Sequence, residues 1–223
     1  MSYVFLQCSN ERCRFRFPAS AAEAEAVHCP RCRGLVTIVA TVQGAKPEKY
    51  ILNCNGPDLA GCLDNIRSIH NVGSMFRTAD GAGITHLYLA GITTTPEHPK
   101  LVKAALGANE TVTWTYYPNS LDAMAELRRN GYQLWALERS LQTTNLPSGT
   151  LTALPDKLAL IVGNERAGVD PAILGLCDAV FSLPMAGHKS SLNAAVAFGI
   201  AVYSIRFGHL LGSVEQGERR NLP

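Results

Sequence analysis

From about residue 71 onward the chain alternates short apolar runs with stretches whose apolar residues recur at helical spacing. Residues 85–90, 111–117, 132–137, 157–162 and 179–183 are runs of strand length. Residues 71–82, 99–106, 120–129, 171–177 and 191–207, between or after them, carry the helical period. Strands that alternate with helices predict an α/β fold, a parallel sheet with helices on both faces. The last helical stretch, Ala194 through Val202, is apolar almost all round, which predicts burial in the core or against a second subunit, and its small residues permit close helix approach. Upstream, a strand-like run at 35–42 is followed by Gln43-Gly44-Ala45-Lys46-Pro47-Glu48, which reads as a linker. The pattern therefore predicts a small module over residues 1–46 and a main domain over 47–223, with the polar stretch 212–223 fraying.

At 223 residues, 47% of them hydrophobic, the chain can bury a core in one ordinary domain beside a small module. No apolar run approaches the ~20 residues needed to span a bilayer. The first ten residues lack a secretory signal's basic start and apolar stretch, so no membrane and a cytoplasmic location are expected. Net charge is +2, but residues 1–49 hold seven Lys/Arg against four acidic residues, while the remainder holds 13 against 14. A basic module beside a near-neutral body suits a nucleic-acid enzyme, and an ordinary solvated surface equally well.

Four of the seven cysteines are paired: Cys8 with Cys13, and Cys29 with Cys32, fifteen residues later. Two short spacers of this kind let four thiolates close a tetrahedral zinc site of the zinc-ribbon type. Two disulfides are the alternative, disfavoured in a reducing compartment, and His28 is a possible substitute for one sulfur. A module this small cannot build an adequate core, so the zinc would be structural and supply folding free energy. Arg12, Arg14 and Arg16 alternate with Cys13, Phe15 and Phe17; an extended segment would gather the guanidinium groups on one face, suited to phosphate. Cys54, Cys62 and Cys177 are isolated and read as small buried residues.

Three segments carry the main domain's chemistry: Asn71-Val72-Gly73-Ser74-Met75-Phe76-Arg77, Ile161-Val162-Gly163-Asn164-Glu165-Arg166-Ala167-Gly168, and Leu183-Pro184-Met185 running into Ser190-Ser191-Leu192-Asn193. Gly163 and Gly168 bracket a turn directly after an apolar run, at the strand end where open parallel sheets bind ligands. In their order and setting the three segments resemble the SpoU/TrmH family of RNA ribose 2'-O-methyltransferases, over roughly residues 50–207. The resemblance implies a C-terminal trefoil knot that forms an S-adenosylmethionine pocket, a homodimer, and tRNA or rRNA as substrate. It also implies catalytic roles for Arg77, Asn71, Glu165 and Asn193. The cofactor would lie against Leu137, Gly163, Asn164, Leu183, Pro184, Met185, Ser191 and Leu192.

Methyl transfer from a sulfonium to a ribose hydroxyl needs no metal; it needs orientation and a route for one proton. A guanidinium with a pKa above ~12 is a poor general base. Arg77 is therefore assigned to grip the target phosphate and orient the 2'-hydroxyl, the proton passing to that phosphate or to water. Glu165 would orient Arg77 or a loop of a second subunit, and Ser191 reads as the N-cap of the last helix. A non-catalytic RNA-binding protein with the same fold and a base methyltransferase of the wider SPOUT group are the alternatives. No dinucleotide fingerprint or phosphate-binding P-loop occurs.

Overall fold

The computed structural model describes residues 2–42, 56–139, 144–145 and 154–212, and the chain divides into two compact units, Met1–Asn53 and Cys54–Pro223. The linker expected at 43–48, the boundary between 46 and 47, Cys54 and all of the expected frayed end except Gly212 lie outside the described residues.

In the first unit, β1 (Tyr3–Cys8), β2 (Arg16–Ser20) and β3 (Val36–Val42) form an antiparallel sheet in the order β2-β1-β3. Among the described residues Val4, Leu6 and Ala24 make its apolar centre, with Phe17, Ala19, Ala21, Val27 and Val36 half-buried around them. Residues 12–17 are not one extended segment. The chain turns through 11–13 and Arg14 sits at φ +47°, because Cys13 must curl back towards Cys8. The alternation of faces begins only at Arg16.

The second unit runs β4 (Asp58–Asp64), α1 (Ile69–Gly81), β5 (His86–Ala90), α2 (Pro99–Ala105), α3 (Ala108–Thr111), β6 (Thr113–Tyr117), α4 (Ser120–Arg129), β7 (Gln133–Leu137), β8 (Thr144–Asn145), β9 (Lys157–Val162), α5 (Pro171–Leu174), β10 (Ala179–Ser182) and α6 (Ala194–Gly212). The strands form one sheet in the order β6-β5-β4-β9-β7-β10-β8, every pairing parallel. Side chains alternate between its faces as the strand period requires. Leu59 and Leu63 of β4, with Leu158, Leu160 and Val162 of β9, meet α1, α2 and α6 through Val72, Met75, Phe76, Leu101, Phe198 and Val202. Ala60, Cys62, Ala159 and Ile161 face the other way and meet Ala123, Met124 and Leu127 of α4 and Ile173 of α5. Helices thus cover both faces, and the smaller side chains on the second allow α4 to pack closely. Cys62 is buried there and Cys177 half-buried beside it.

Several boundaries differ from the pattern. β4 lies near the centre of the sheet yet carries Gly61 and an aspartate at each end, so it lacks a strand's composition. A Cβ on Gly61 would come within 2.6 Å of Leu87 and 3.3 Å of Phe198, so the glycine lets the core close over the strand. The run 111–117 gives its first residue to α3, and α5 stops at Leu174. α6 begins at Ala194, not 191, because the side chain of Asn193, not Ser191, accepts from the free N–H groups of Ala195 and Val196. Among the described residues no helix is long and apolar enough to cross a membrane.

Candidate active site

Ser68 caps α1 by accepting from the backbone N–H of Asn71, so Asn71 stands in the helix's first turn with its amide largely buried. After β9 the chain folds into a tight turn closed by the antiparallel bridge Asn164 to Gly168. Gly168 takes φ +76°, open to glycine without strain. A Cβ on Gly163 would fall 2.3 Å from the backbone of Gly168 and Val169, so the turn lies flat against the strand end only without a side chain there. Asn164 holds the turn from inside: its side-chain Oδ1 accepts from the N–H groups of Arg166 and Ala167, and its Nδ2 donates to the backbone oxygen of Asn65 at 2.7 Å.

This turn aims Glu165 at the start of α1. Its carboxylate accepts from the backbone N–H of Arg67 (2.9 Å) and Ser68 (3.0 Å) and from the Asn71 Nδ2 (2.9 Å). Asn71 in turn accepts through Oδ1 from Asn193 Nδ2 at 3.0 Å. Glu165, Asn71 and Asn193, separated by up to 122 positions, form one hydrogen-bonded chain that joins the turn after β9, the first turn of α1 and the start of α6. Burial pushes the Glu165 carboxyl up, but hydrogen bonds from the N–H groups of Arg67, Glu165 itself and Ser68 and from Asn71 outweigh it and hold the carboxyl below its ordinary pKa.

Beside this chain lies a cavity of about 380 Å³ at the C-terminal ends of β7, β9 and β10. Leu137, Gly163, Asn164, Glu165, Leu183, Met185, Ser191, Leu192 and Asn193 line it; Pro184, the remaining residue expected there, is exposed and outside the lining. Glu138 and Arg139 also line it, and no sequence motif pointed to them. Glu138 accepts from the N–H of Val169 and Arg139, tying β7 to the far side of the turn. The Arg139 guanidinium donates to the Ser190 carbonyl, tying β7 to the loop before α6. Asp64, buried at the end of β4, accepts from Ser120 Oγ and Asn65 Nδ2 and steadies the neighbouring loops.

Arg77 is not brought to this cavity by its own chain. Six residues separate it from Asn71, which turns it ~240° around the helix and ~9 Å along it. It is exposed, makes no hydrogen bond or ion pair among the described residues, and borders a separate hollow of about 340 Å³ with Asp80, Leu106, Gly107 and Thr111. α6 packs on this part of α1, Gly199 near Thr78 and Tyr203 near Gly81. Val196, Ile200 and Tyr203, one stripe of α6, are 50%, 43% and 44% exposed.

In the first unit the sulfur atoms of Cys8, Cys13, Cys29 and Cys32 all lie within 4.8 Å of one another, and none of these cysteines is in a disulfide. Cys8 and Cys32 are 3.4 Å apart, Cys13 and Cys29 3.8 Å. A zinc ion with Zn–S of about 2.3 Å requires sulfur–sulfur edges of about 3.8 Å, so the set fits that ion. His28 is exposed and outside the cluster.

The model of the SpoU rRNA Methylase family matches residues 59–203. A putative TrmH family tRNA/rRNA methyltransferase of Staphylococcus haemolyticus is 27% identical over 184 residues, 81% of this chain and 72% of that one. A 23S rRNA (guanosine-2'-O-)-methyltransferase of a Burkholderia species is 33% identical over 180 residues, 78% of this chain and 69% of the relative. Among solved structures, an AdoMet-bound rRNA methyltransferase from Sinorhizobium meliloti superposes with a TM-score of 0.60 at 27% identity, over 70% of this chain and 58% of that protein. With the family model covering most of the sheet, both ends of the Glu165–Asn71–Asn193 connection and the cavity between them, the chain belongs to the SpoU rRNA Methylase family.

Proposed function

We propose that this chain is an S-adenosylmethionine-dependent RNA 2'-O-ribose methyltransferase of the cytoplasm, acting on tRNA or rRNA as a homodimer, with one structural zinc in its N-terminal module. The observation that carries the reading is the cavity lined by Glu165 and Asn193, the two ends of the hydrogen-bonded chain that runs through Asn71. Its volume suits a nucleoside-sized ligand, and apolar walls with a few convergent polar groups are what such a ligand requires. The bound cofactor supplies an electrophilic methyl group. Leu137, Leu183, Met185 and Leu192 would shield its adenosine from water, with Gly163, Asn164 and Ser191 along the same wall. The C-terminal loops around them would be tied into the trefoil knot that the family resemblance implies.

Orientation is the main work left to the protein. Glu165 and Asn71 fix the start of α1 against the cavity rim, and Asn193 fixes the start of α6 to the same point, leaving the rim rigid where a ribose must be held. Arg77, always charged, would bind the target phosphate bidentately and turn the 2'-hydroxyl towards the methyl group, the proton leaving to that phosphate or to water. Since Arg77 stands outside its own chain's cavity, it would serve the cavity of a second copy. The exposed stripe of α6, which packs on α1 at Thr78 and Gly81, supports an interface on this side of the unit. In the module, four thiolates leave the zinc no open position, so its role is to hold the fold.

Incubation with methyl-labelled S-adenosylmethionine and total RNA tests the reading. Label is expected on ribose after nuclease digestion, and Arg77→Ala should abolish transfer while leaving cofactor affinity within a few-fold. Label on a base would replace the ribose assignment, and no label with intact RNA binding would favour a binding-only protein. Equal loss of transfer and cofactor affinity in Arg77→Ala would remove the role given to Arg77.

A further inference from the structure

The N-terminal sheet has one face turned to its small core, through Val4, Leu6, Phe17, Ala19 and Val36. Residues directly opposite in antiparallel strands share a face, so the register defines the other side. On the central strand that side carries Tyr3, Phe5 and Gln7. Arg16, Pro18 and Ser20 flank them on β2, and Thr37, Ala40 and Val42 on β3, where a register shift opposite Phe5 and Leu6 leaves Val39 as an extra, exposed residue. Tyr3 is 49% exposed, Phe5 is half-buried and Arg16 is exposed. The Arg16 guanidinium lies over the Phe5 ring, 5.8 Å from its centre.

Two features of this face set it apart from an unburied scrap of core. Its rings stand two residues apart on the middle strand, about 6.8 Å along it; the Tyr3 ring is about half exposed, and the Phe5 ring lies under the Arg16 guanidinium. It also carries a cation and no carboxylate. A central-strand pair of rings on an open sheet is the arrangement on which unpaired bases stack, and an arginine plane both extends such a platform and attracts the phosphate chain.

We propose that this face is a stacking platform for a single-stranded segment of RNA, with Tyr3 and Phe5 each taking one base and Arg16 contacting a base or phosphate. The proposal rests on the reading of the chain as an RNA-modifying enzyme. It adds a second point of attachment, one that recognises unpaired nucleotides without reading their sequence, since every base has a face to stack.

The test uses the full-length protein and a short fluorescein-labelled oligouridylate, read by fluorescence anisotropy. The double variant Tyr3→Leu with Phe5→Leu keeps the apolar bulk and removes both rings; it should weaken binding by about tenfold or more. Tyr3→Phe should bind as the wild type does, and Arg16→Gln should lower affinity and flatten its salt dependence. Zinc content and far-UV circular dichroism check the fold. If the double variant fails that check, Tyr3→Leu alone decides, because Tyr3 lies outside the module's core. Undiminished oligouridylate binding in the ring variants overturns the proposal, as does a change in sedimentation that makes the face a contact between copies. Methyl transfer to total RNA is measured in parallel. Ring-dependent binding without transfer would remove only the enzymatic reading, and transfer with ring-independent binding would remove only the platform.

Discussion

Glu165 holds two backbone N–H groups and one side-chain amide with a single carboxylate, and a neutral isostere cannot do the same. Glutamine has one acceptor oxygen, so its NH2 must face either the Arg67 N–H or the Ser68 and Asn71 donors. One hydrogen bond lost at this exposed rim costs about 1 kcal/mol or less. The pH dependence follows from the sign of the shift. The carboxyl is held below its ordinary value of 4.5 in the folded protein, so its contribution is complete above that value and is lost as pH falls through the depressed folded pKa. The melting temperature of the wild type should therefore exceed that of Glu165→Gln by a constant margin from neutral pH down to about 5, and the margin should shrink in stronger acid. A margin independent of pH down to acid unfolding would show that the charge is not what holds the rim. Asn71, Glu165 and Asn193 were legible as motif residues, and the fold does bring them into one hydrogen-bonded chain. Glu138 and Arg139 were not, although their position directly after a strand-like run places them at the strand end where parallel sheets bind ligands. Arg67 and Ser68 left no trace, because they act on Glu165 through backbone N–H groups that any residue but proline supplies.

At the scale of elements, the turn after β9 joins the sheet to the cavity, and its geometry hangs on the missing side chain of Gly163. A methyl group there would lie 2.3 Å from backbone atoms of Gly168 and Val169, which cannot swing aside as a side-chain end could. Gly163→Ala should therefore push the turn off the strand, at a cost of roughly 1–3 kcal/mol. The Val169 N–H would be pulled from Glu138 and Glu165 from the start of α1. Calorimetric titration with S-adenosylmethionine should then show affinity reduced by well over tenfold, with the circular dichroism of the sheet unchanged; wild-type affinity would mean that the cavity is not the cofactor's. The elements themselves were legible where burial writes a period into the sequence. β9 matches its apolar run residue for residue, and α4 matches its helical stretch because Asn119 caps it. β4 was missed for the opposite reason: a central position demands small side chains under Phe198, and Gly61 with two aspartates hides the strand. The start of α6 was misplaced because a serine at 191 and an asparagine at 193 are equally good caps on paper. Asn193 both caps the helix through Oδ1 and donates through Nδ2 to Asn71, a long-range bond that the local pattern does not carry.

At the scale of the whole molecule, the location of Arg77 makes a prediction about how many chains build one site. Within a chain it stands a helical face away from Glu165 and Asn193, on the helix that packs through Thr78 and Gly81 against α6 with its exposed apolar stripe. A two-fold interface over that stripe is self-complementary, so each copy would present its Arg77 to the other's surface and each cavity would borrow one guanidinium. Two variants separate this arrangement from a self-contained site. Arg77→Ala leaves a chain with a sound cavity and nothing to lend. Asn193→Ala leaves one that can lend Arg77 but has lost both the α6 cap and the bond to Asn71, a loss of about 1 kcal/mol in the fold and of rigidity at its own rim. Each homodimer should be inactive in methyl transfer. Mixed under conditions that allow exchange, half of the dimers pair one variant with the other, and in each of these one cavity has every group intact, so about a quarter of wild-type activity should return. If each chain supplied its own Arg77, no pairing could rebuild a site and the mixture would stay as inactive as its parts.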